Sequence, residues 1–459
     1  MPQKLDNSTP RWDWPLHVKN VGRIDWDKAG SLITPENARE WQLSVDIITK
    51  PSEWMDQLDG HEISLAEASI SQQDLQSLLG FGIWEALPEG ETVLGTCNIF
   101  TVNEPEKTRR RLISEPRINE ELTYTPSTEL PSVEQCLSKA RTHGGSCWDF
   151  SSFYNQFEIP EEARNWFCAR FKGKWYRSKV IPTGMRQCPA LAQALTDSLA
   201  QMACANCETG ATHEAYIDNV GFTGDAEATK RAADTFERLC EEVPITIGEM
   251  GTHPTDYTFL GIHYNHLTAC VDISKKHRTK INELIHQLGT ETHQEWTMRD
   301  VLRVVGILVW AFRVLDIQLA KLYYLLKFIR RRAHYELEQK AEFWPSLRRP
   351  TLQALSDCLG KNRHIQEEPK AAEIILFTDA CEEGYGAVMF QGTKVGITAG
   401  DFEKKEPIHI LEARALLYGI EKPPNFAKST EIKVFIDNTS VLFALRKGAS
   451  KSFLLNKLV

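Results

Sequence analysis

The runs Cys147–Phe150 and Ala215–Phe222 are short and apolar, and each delivers an aspartate to a strand end or turn. Asp149 follows Cys147-Trp148, and Asp218 sits at the tip of Tyr216-Ile217-Asp218-Asn219. The first run reads as a strand and the second as a hairpin, because apolar residues flank the turn-like Asp-Asn pair. Apolar residues at helical spacing from Pro189 to about Ala203, and again over Lys230–Cys240, add amphipathic helices and make the fold class α/β. Two carboxylates at adjacent strand ends have the chemistry to hold a pair of Mg²⁺ ions.

The same reading extends along the chain. A helix over Ser71–Leu79 stops at Gly80-Phe81-Gly82, and Cys97–Val102 and Arg110–Ile113 form a hairpin across Asn103–Thr108. Phe167–Phe171 and Trp175–Val180 form another, and Thr258–Tyr264 reads as a single strand. Residues 281 to 334 are helical in pattern, and 348 to 369 are polar with little periodicity. A new series then begins, with strands Glu373–Thr378, Gly386–Phe390 and Lys394–Thr398, helix Leu411–Ile420, strand Lys433–Ile436 and helix Thr439–Arg446. At 459 residues the chain exceeds one ordinary core, so two or three domains are expected. The expected division is an N-terminal extension of unknown role (1–70), an α/β body (71–270), a helical segment (271–347), a linker (348–369) and a second α/β unit (370–459).

Charge and cysteine usage exclude some classes. No run of roughly 18 apolar residues occurs, since Val304 to Phe312 stops at Arg313, and no apolar leader segment follows Met1. A cytoplasmic or nuclear protein, neither secreted nor membrane-bound, is expected. The 11 cysteines are scattered among apolar residues and suit reduced thiols. Cys204 and Cys207 have C-x-x-C spacing near His213, but no second pair completes a zinc set, so they read as structural. The net charge of −9 runs against the basic balance common in nucleic-acid binders, yet a local basic channel is what matters in a chain this long. Basic clusters stand at Arg109-Arg110-Arg111, Lys172–Arg177 and Arg330-Arg331-Arg332.

From about Asp74 to His334 the sequence resembles the reverse transcriptases of retroelements. The resemblance is carried in order by DLQSLLGFGIWEAL, IFTVNEPEKTRRRLISEPRIN, CWDFSSFYNQFEI, IPTGMRQCPALAQAL, YIDN, TFLGIHY and WTMRDVLRVVGILVWAFRVLDIQLAKL. It implies a right-hand polymerase with fingers and palm over 71–270 and thumb and connection helices over 271–347. It also implies two-metal nucleotidyl transfer with Mg²⁺ (or Mn²⁺), and an RNA template, a DNA primer, RNA/DNA hybrid and dNTPs as partners. Asp149 and Asp218 would be the principal metal ligands, and Tyr154 the steric gate beneath the incoming sugar. Arg110 would contact the triphosphate with Lys107 assisting, and Gly184 would allow close backbone approach to the nascent base pair. Two positions depart from the pattern. Asn219 stands where the family carries a second acid, which puts metal affinity and activity in question, and Thr183 precedes Gly184 where retroviral enzymes commonly carry glutamine.

The C-terminal series resembles RNase H, whose strand–acid, helix–acid, strand–acid order is met by Asp379, Glu412 and Asp437 around two metal ions. The later helix that supplies a further acid is not among these 459 residues, so the region is expected to be C-terminally incomplete, with weak hydrolysis or none. The phrases ILEARALLYGI and FIDNTSVLFALRKGASKSFLLN look closer to DIRS-like tyrosine-recombinase retrotransposons than to retroviruses. Three functions stay open at this point: an RNA-directed DNA polymerase, a degenerate or domesticated copy that grips RNA/DNA hybrid, and a scaffold subunit. The oligomeric state is not readable.

Overall fold

The computed structural model describes residues 9–55, 63–124, 126–138, 144–205, 210–251, 255–290, 296–341, 345–364, 373–425, 427 and 432–458. They gather into two compact units, one of Met1–Ser132 with Thr142–Thr255, the other of Val133–Arg141 with Asp256–Val459. Within the first unit, helix α1 (Gln72–Gly80) starts in a capping box. The Ser71 hydroxyl accepts from the Asp74 amide, and the Asp74 carboxylate accepts from the Ser71 amide at 2.8 Å. Strands β1 (Cys97–Glu104) and β2 (Arg109–Pro116) pair antiparallel across a turn closed by Thr108 in the left-handed region.

This unit also holds β3 (Gly144–Phe150), α2 (Cys188–Ala205), β4 (Ala211–Tyr216), β5 (Asn219–Gly224), α3 (Ala226–Glu242) and β6 (Ile247–Gly251). These four strands make one antiparallel sheet in the order β4-β5-β3-β6, beside a three-stranded sheet of Trp84–Ala86, Lys174–Ser178 and Cys168–Phe171. Strand alternation decides what each face carries. Trp148 and Phe150 point into the core, where the Trp148 ring lies 5.4 Å from those of Phe222 and Phe236. Asp149, between them, therefore emerges on the opposite face. Truncating one such core aromatic costs about 3–5 kcal/mol, so the alternation is strongly enforced. Part of the N-terminal extension belongs to the same core, with Ile24, Trp41, Ile47 and Ile48 buried in it.

In the second unit, β7 (Asp256–Phe259), β8 (Ile262–Asn265) and β9 (Cys270–Ile273) form a meander closed by Arg363-His364. The single strand expected over Thr258–Tyr264 is thus a hairpin. Leu260 and Gly261 both take positive φ (50° and 82°), the requirement of a tight two-residue turn. Helices α4 (Lys275–Thr290), α5 (Met298–Val314) and α6 (Tyr323–Arg331) follow.

The expected linker is a second correction, because α7 (Pro345–Gly360) occupies most of it and packs on α4 and α5. Its buried Leu347, Thr351, Ala354, Leu355 and Cys358 keep helical spacing, but threonine, alanine and cysteine gave the stripe a polar look. Residues 365–369 of that linker lie outside the described residues. The unit closes with β10 (Ile374–Ala380), β11 (Gly384–Gln391), β12 (Lys394–Asp401), α8 (Ile408–Glu421), β13 (Ile432–Phe435) and α9 (Thr439–Lys447). Its sheet runs β12-β11-β10-β13, with β10 and β13 parallel and the α8 connection between them.

Candidate active site

The β4–β5 hairpin turns through Ile217 and Asp218, with Ile217 at φ 58°. The Asp218 carbonyl accepts the Phe150 amide at 2.9 Å, which ties the hairpin tip to the end of β3. In register, Asp149 stands opposite Asn219 on β5 and opposite Glu249 on β6. Directly opposed side chains share a face, so Asp149, Asn219 and Glu249 form a row across three adjacent strands. A register irregularity between Asp149 and Phe150 leaves Gly248 as the extra residue of β6; a Cβ there would meet the Asp149 carbonyl at 3.0 Å.

The electrostatics of this row are those of crowded acids. Burial first, then the charges of Asp218 and Glu249, push the Asp149 carboxyl up to about 6 from its ordinary 3.8, against the opposing charges of Lys107 and Lys19. Burial also raises Asp218, while the Asn219 amide donates to its Oδ1 at 2.9 Å and the charge of Arg111 pulls the other way. Asn219 thus supports the first aspartate where a second carboxylate would repel it. Tyr154 sits in the one-turn 3₁₀ segment Phe153–Gln156, partly buried; burial first, then Cys188 and the Asp218 charge, raise its phenol.

Arg110 is not at this site. Its side chain is 2% exposed and forks onto Asp74, itself 3% exposed, with Nη1 to Oδ2 at 2.9 Å and Nη2 to Oδ1 at 2.7 Å. It also donates to the Trp14 carbonyl and the Thr101 hydroxyl, and lies 4.9 Å from the Trp12 ring centroid. The reason is the period of two along β2: one residue's shift moves a side chain to the other face. Arg111 is 55% exposed, and its charge reaches Asp218. Gly184 makes its close approach to β2, where an added Cβ would meet the Ser114 carbonyl at 2.8 Å and the Glu115 Cα at 3.0 Å. Its amide donates to that same carbonyl, and the Thr183 hydroxyl accepts the Ser114 amide. The sequence marks Arg111 only as one of a basic cluster and gives no sign of Lys19 or Glu249; alternation along β2 distinguishes Arg111 from Arg110, whereas the β3–β6 register has no local signature. Of the C-x-x-C pair, Cys204 is partly buried and in no disulfide, and Cys207 lies outside the described residues.

In the second unit, Asp379 ends β10, Asp437 follows β13 and Glu412 lies in the first turns of α8. Parallel pairing of β10 with β13 and packing of α8 on β10 bring candidate ligand atoms of all three within 4.8 Å of one another. Glu412 is 4% exposed, and its Oε2 is buried without a hydrogen-bond partner among the described residues. Burial, then Asp437 and Asp379, raise its carboxyl to about 6. An orphaned carboxylate oxygen beside two further acids fits a hard divalent cation, which favours all-oxygen donor sets. Carboxylates on the adjacent strand ends of β3 and β5 are the same kind of donor set.

The fold is a mixed α/β body with largely antiparallel sheets. Solved structures of a foamy viral protease-reverse transcriptase share it. The form in complex with dsDNA matches at a TM-score of 0.51 and 14% identity, over 92% of this chain and 99% of that one. The same protein's form designated dRH, with ds DNA, matches at 0.53 and 15%, over 94% and 78%. The form in complex with RNA/DNA hybrid matches at 0.53 and 14%, over 96% and 62%. At these identities the likeness is one of fold. No protein-family model and no curated protein matches the chain. No helix among the described residues is long and apolar enough to cross a membrane.

Proposed function

We propose that the chain is an RNA-directed DNA polymerase of a retrotransposon, extending a DNA primer on an RNA template with dNTPs. The observation that carries this reading is the juxtaposition of Asp149 and Asp218 at the ends of β3 and β5, with Tyr154 within reach of the Asp218 charge and cationic Lys107 and Arg111 facing the acids. Asp149 and Asp218 would hold Mg²⁺ or Mn²⁺. A metal held there would supply Lewis acidity toward the primer 3′-hydroxyl and positive charge opposite the departing pyrophosphate. The protein's own work is placement. Arg111 and Lys107 attract and orient the triphosphate by charge-assisted hydrogen bonds, and the Tyr154 ring fills the space that a ribose 2′-hydroxyl would need. The Asn219 amide fixes the rotamer of Asp218.

The second unit supports an RNase H-like assignment for Asp379, Glu412 and Asp437, and the wording of its α8 and α9 segments supports a DIRS-like element. A trapped-complex measurement tests the polymerase reading. With a dideoxy-terminated primer on an RNA template, the next complementary dNTP should convert a salt-labile complex into a salt-resistant one. Binding that is indifferent to which dNTP is present would refute it. Asn219 favours a second reading, a binding protein that retains the grip on RNA/DNA hybrid without catalysis. That reading predicts tight hybrid binding and no response to any dNTP.

A further inference from the structure

The N-terminal residues, to which the sequence assigned no role, lie directly against the turn that carries Tyr154. Arg23 Nη1 donates to the Asn155 carbonyl at 2.7 Å, the Ile24 amide to the Gln156 carbonyl at 2.7 Å, and Trp26 Nε1 to the Glu158 carbonyl at 2.8 Å. These are the carbonyls at the trailing end of the 3₁₀ turn Phe153–Gln156 and just beyond it, which such a short turn cannot satisfy itself. The leading end is held from the other side. Gln156 Nε2 donates to the Ser151 carbonyl at 2.8 Å and to the Thr246 carbonyl at 3.0 Å, and the Thr246 amide returns a bond to Gln156 Oε1 at 2.7 Å. The Gly22 amide donates to the Thr246 hydroxyl at 2.7 Å, and a Cβ on Gly22 would meet the Pro244 carbonyl at 2.4 Å, so the segment passes too close for any side chain there.

The turn needs this support. Ser152, which enters it, stands at φ 47°, a left-handed conformation that a non-glycine residue keeps only when its surroundings enforce it. Tyr154 itself is partly buried and packs against the core of the unit. The backbone of the turn sets where the Tyr154 side chain leaves it, and residues 22–26 hold that backbone at its trailing end while Gln156 and Thr246 hold it from the other side.

We propose that residues Gly22–Trp26, through Arg23, act as a clip that positions Tyr154 and thereby sets discrimination between deoxyribonucleotides and ribonucleotides. This rests on the polymerase reading, with Tyr154 as the sugar gate. Arg23 is a positioning residue: it touches the Asn155 carbonyl of the turn and, through Nη2, the Gly82 carbonyl, and not the substrate.

The test compares the wild-type chain with Arg23→Ala, Arg23→Lys, Tyr154→Ala and the Arg23→Ala/Tyr154→Ala double variant. Two readouts are taken: amide hydrogen exchange across residues 151–157, and incorporation of rNTP relative to dNTP in primer extension. In Arg23→Ala, exchange should rise in 151–157 and not in α2, and relative rNTP use should rise about tenfold, equivalent to ~1.4 kcal/mol of lost discrimination. Arg23→Lys should restore part of both effects. The double variant should discriminate no worse than Tyr154→Ala alone, since both changes act through one group. Unchanged exchange in 151–157, or an additive loss in the double variant, overturns the clip. A wild-type chain that incorporates no nucleotide refutes the polymerase reading instead, and the exchange measurement still decides whether residues 22–26 hold the turn.

Discussion

Arg110 and Arg111 are neighbours on one strand, one buried and one exposed, and on the proposed polymerase reading replacing each by alanine should separate stability from nucleotide binding. Arg110→Ala leaves the Asp74 carboxylate, 3% exposed, without its guanidinium. At present burial pushes the Asp74 carboxyl up, while hydrogen bonds from Arg110 and Ser71 outweigh it and hold it below the ordinary range. Removing one partner of a buried pair costs about 3–5 kcal/mol. Ser71 keeps its two capping-box bonds to Asp74, so the lower end, about 3 kcal/mol, is the expected loss for the first unit. Arg111→Ala removes a side chain 55% exposed whose ion pair with Glu104, at 2.7 Å, is open to solvent. That change should shift stability by no more than about 0.5 kcal/mol. It should instead forfeit a charge-assisted contact to the triphosphate, about 1.5–3 kcal/mol, or roughly 10–150-fold in dNTP affinity. Urea unfolding and the KM for dNTP on the same preparations measure the two effects. An Arg110→Ala variant with an unchanged urea midpoint and a raised KM, beside an Arg111→Ala variant with neither, would refute the assignment of the two faces.

Three further outcomes are expected. The Asp149 and Glu412 carboxyls each stand at about 6, above their ordinary values, so each metal-free site stabilises the fold fully below the unfolded value and loses that contribution as pH rises through about 6. Divalent metal must displace those protons, so Mg²⁺-induced thermal stabilisation should weaken steadily below pH 6; indifference to pH between 5 and 7 would contradict this. Asn219→Asp should tighten Mg²⁺ dependence of nucleotide addition several-fold by adding a carboxylate opposite Asp149, and a higher Mg²⁺ requirement would show the amide to be the better partner. Asp379→Asn should lower Glu412 toward its ordinary value by removing one neighbouring charge and weaken Mn²⁺ binding by the second unit, readable by electron paramagnetic resonance; unchanged Mn²⁺ uptake would argue that the three acids hold no ion.

Much of the core architecture follows from local pattern. The alternation Trp148-Asp149-Phe150 specifies a strand with an acid on one face and aromatics on the other, and the sheet is built that way. The three C-terminal acids are likewise legible, because each closes a strand or opens a helix in the expected order. What failed to show in the sequence has physical causes. Leu260-Gly261 splits one apolar run into two strands by backbone dihedral alone. The buried stripe of α7 uses small and polar residues, so its hydrophobic contrast is weak. Arg110 and Arg111 are chemically identical, and only register tells the buried one from the exposed one. The grip of residues 22–26 on the Tyr154 turn is mostly made to main-chain carbonyls, which leave no trace in the identity of the residues they serve.

Primer extension by the purified, folded chain on an RNA template with a DNA primer, dNTPs and Mg²⁺ or Mn²⁺, run beside Asp149→Asn and Asp218→Asn, tests the polymerase reading most directly. Metal-dependent addition of complementary deoxynucleotides by the wild-type chain, lost in both variants, is the predicted result. No addition in either metal, or addition that survives both substitutions, would contradict it.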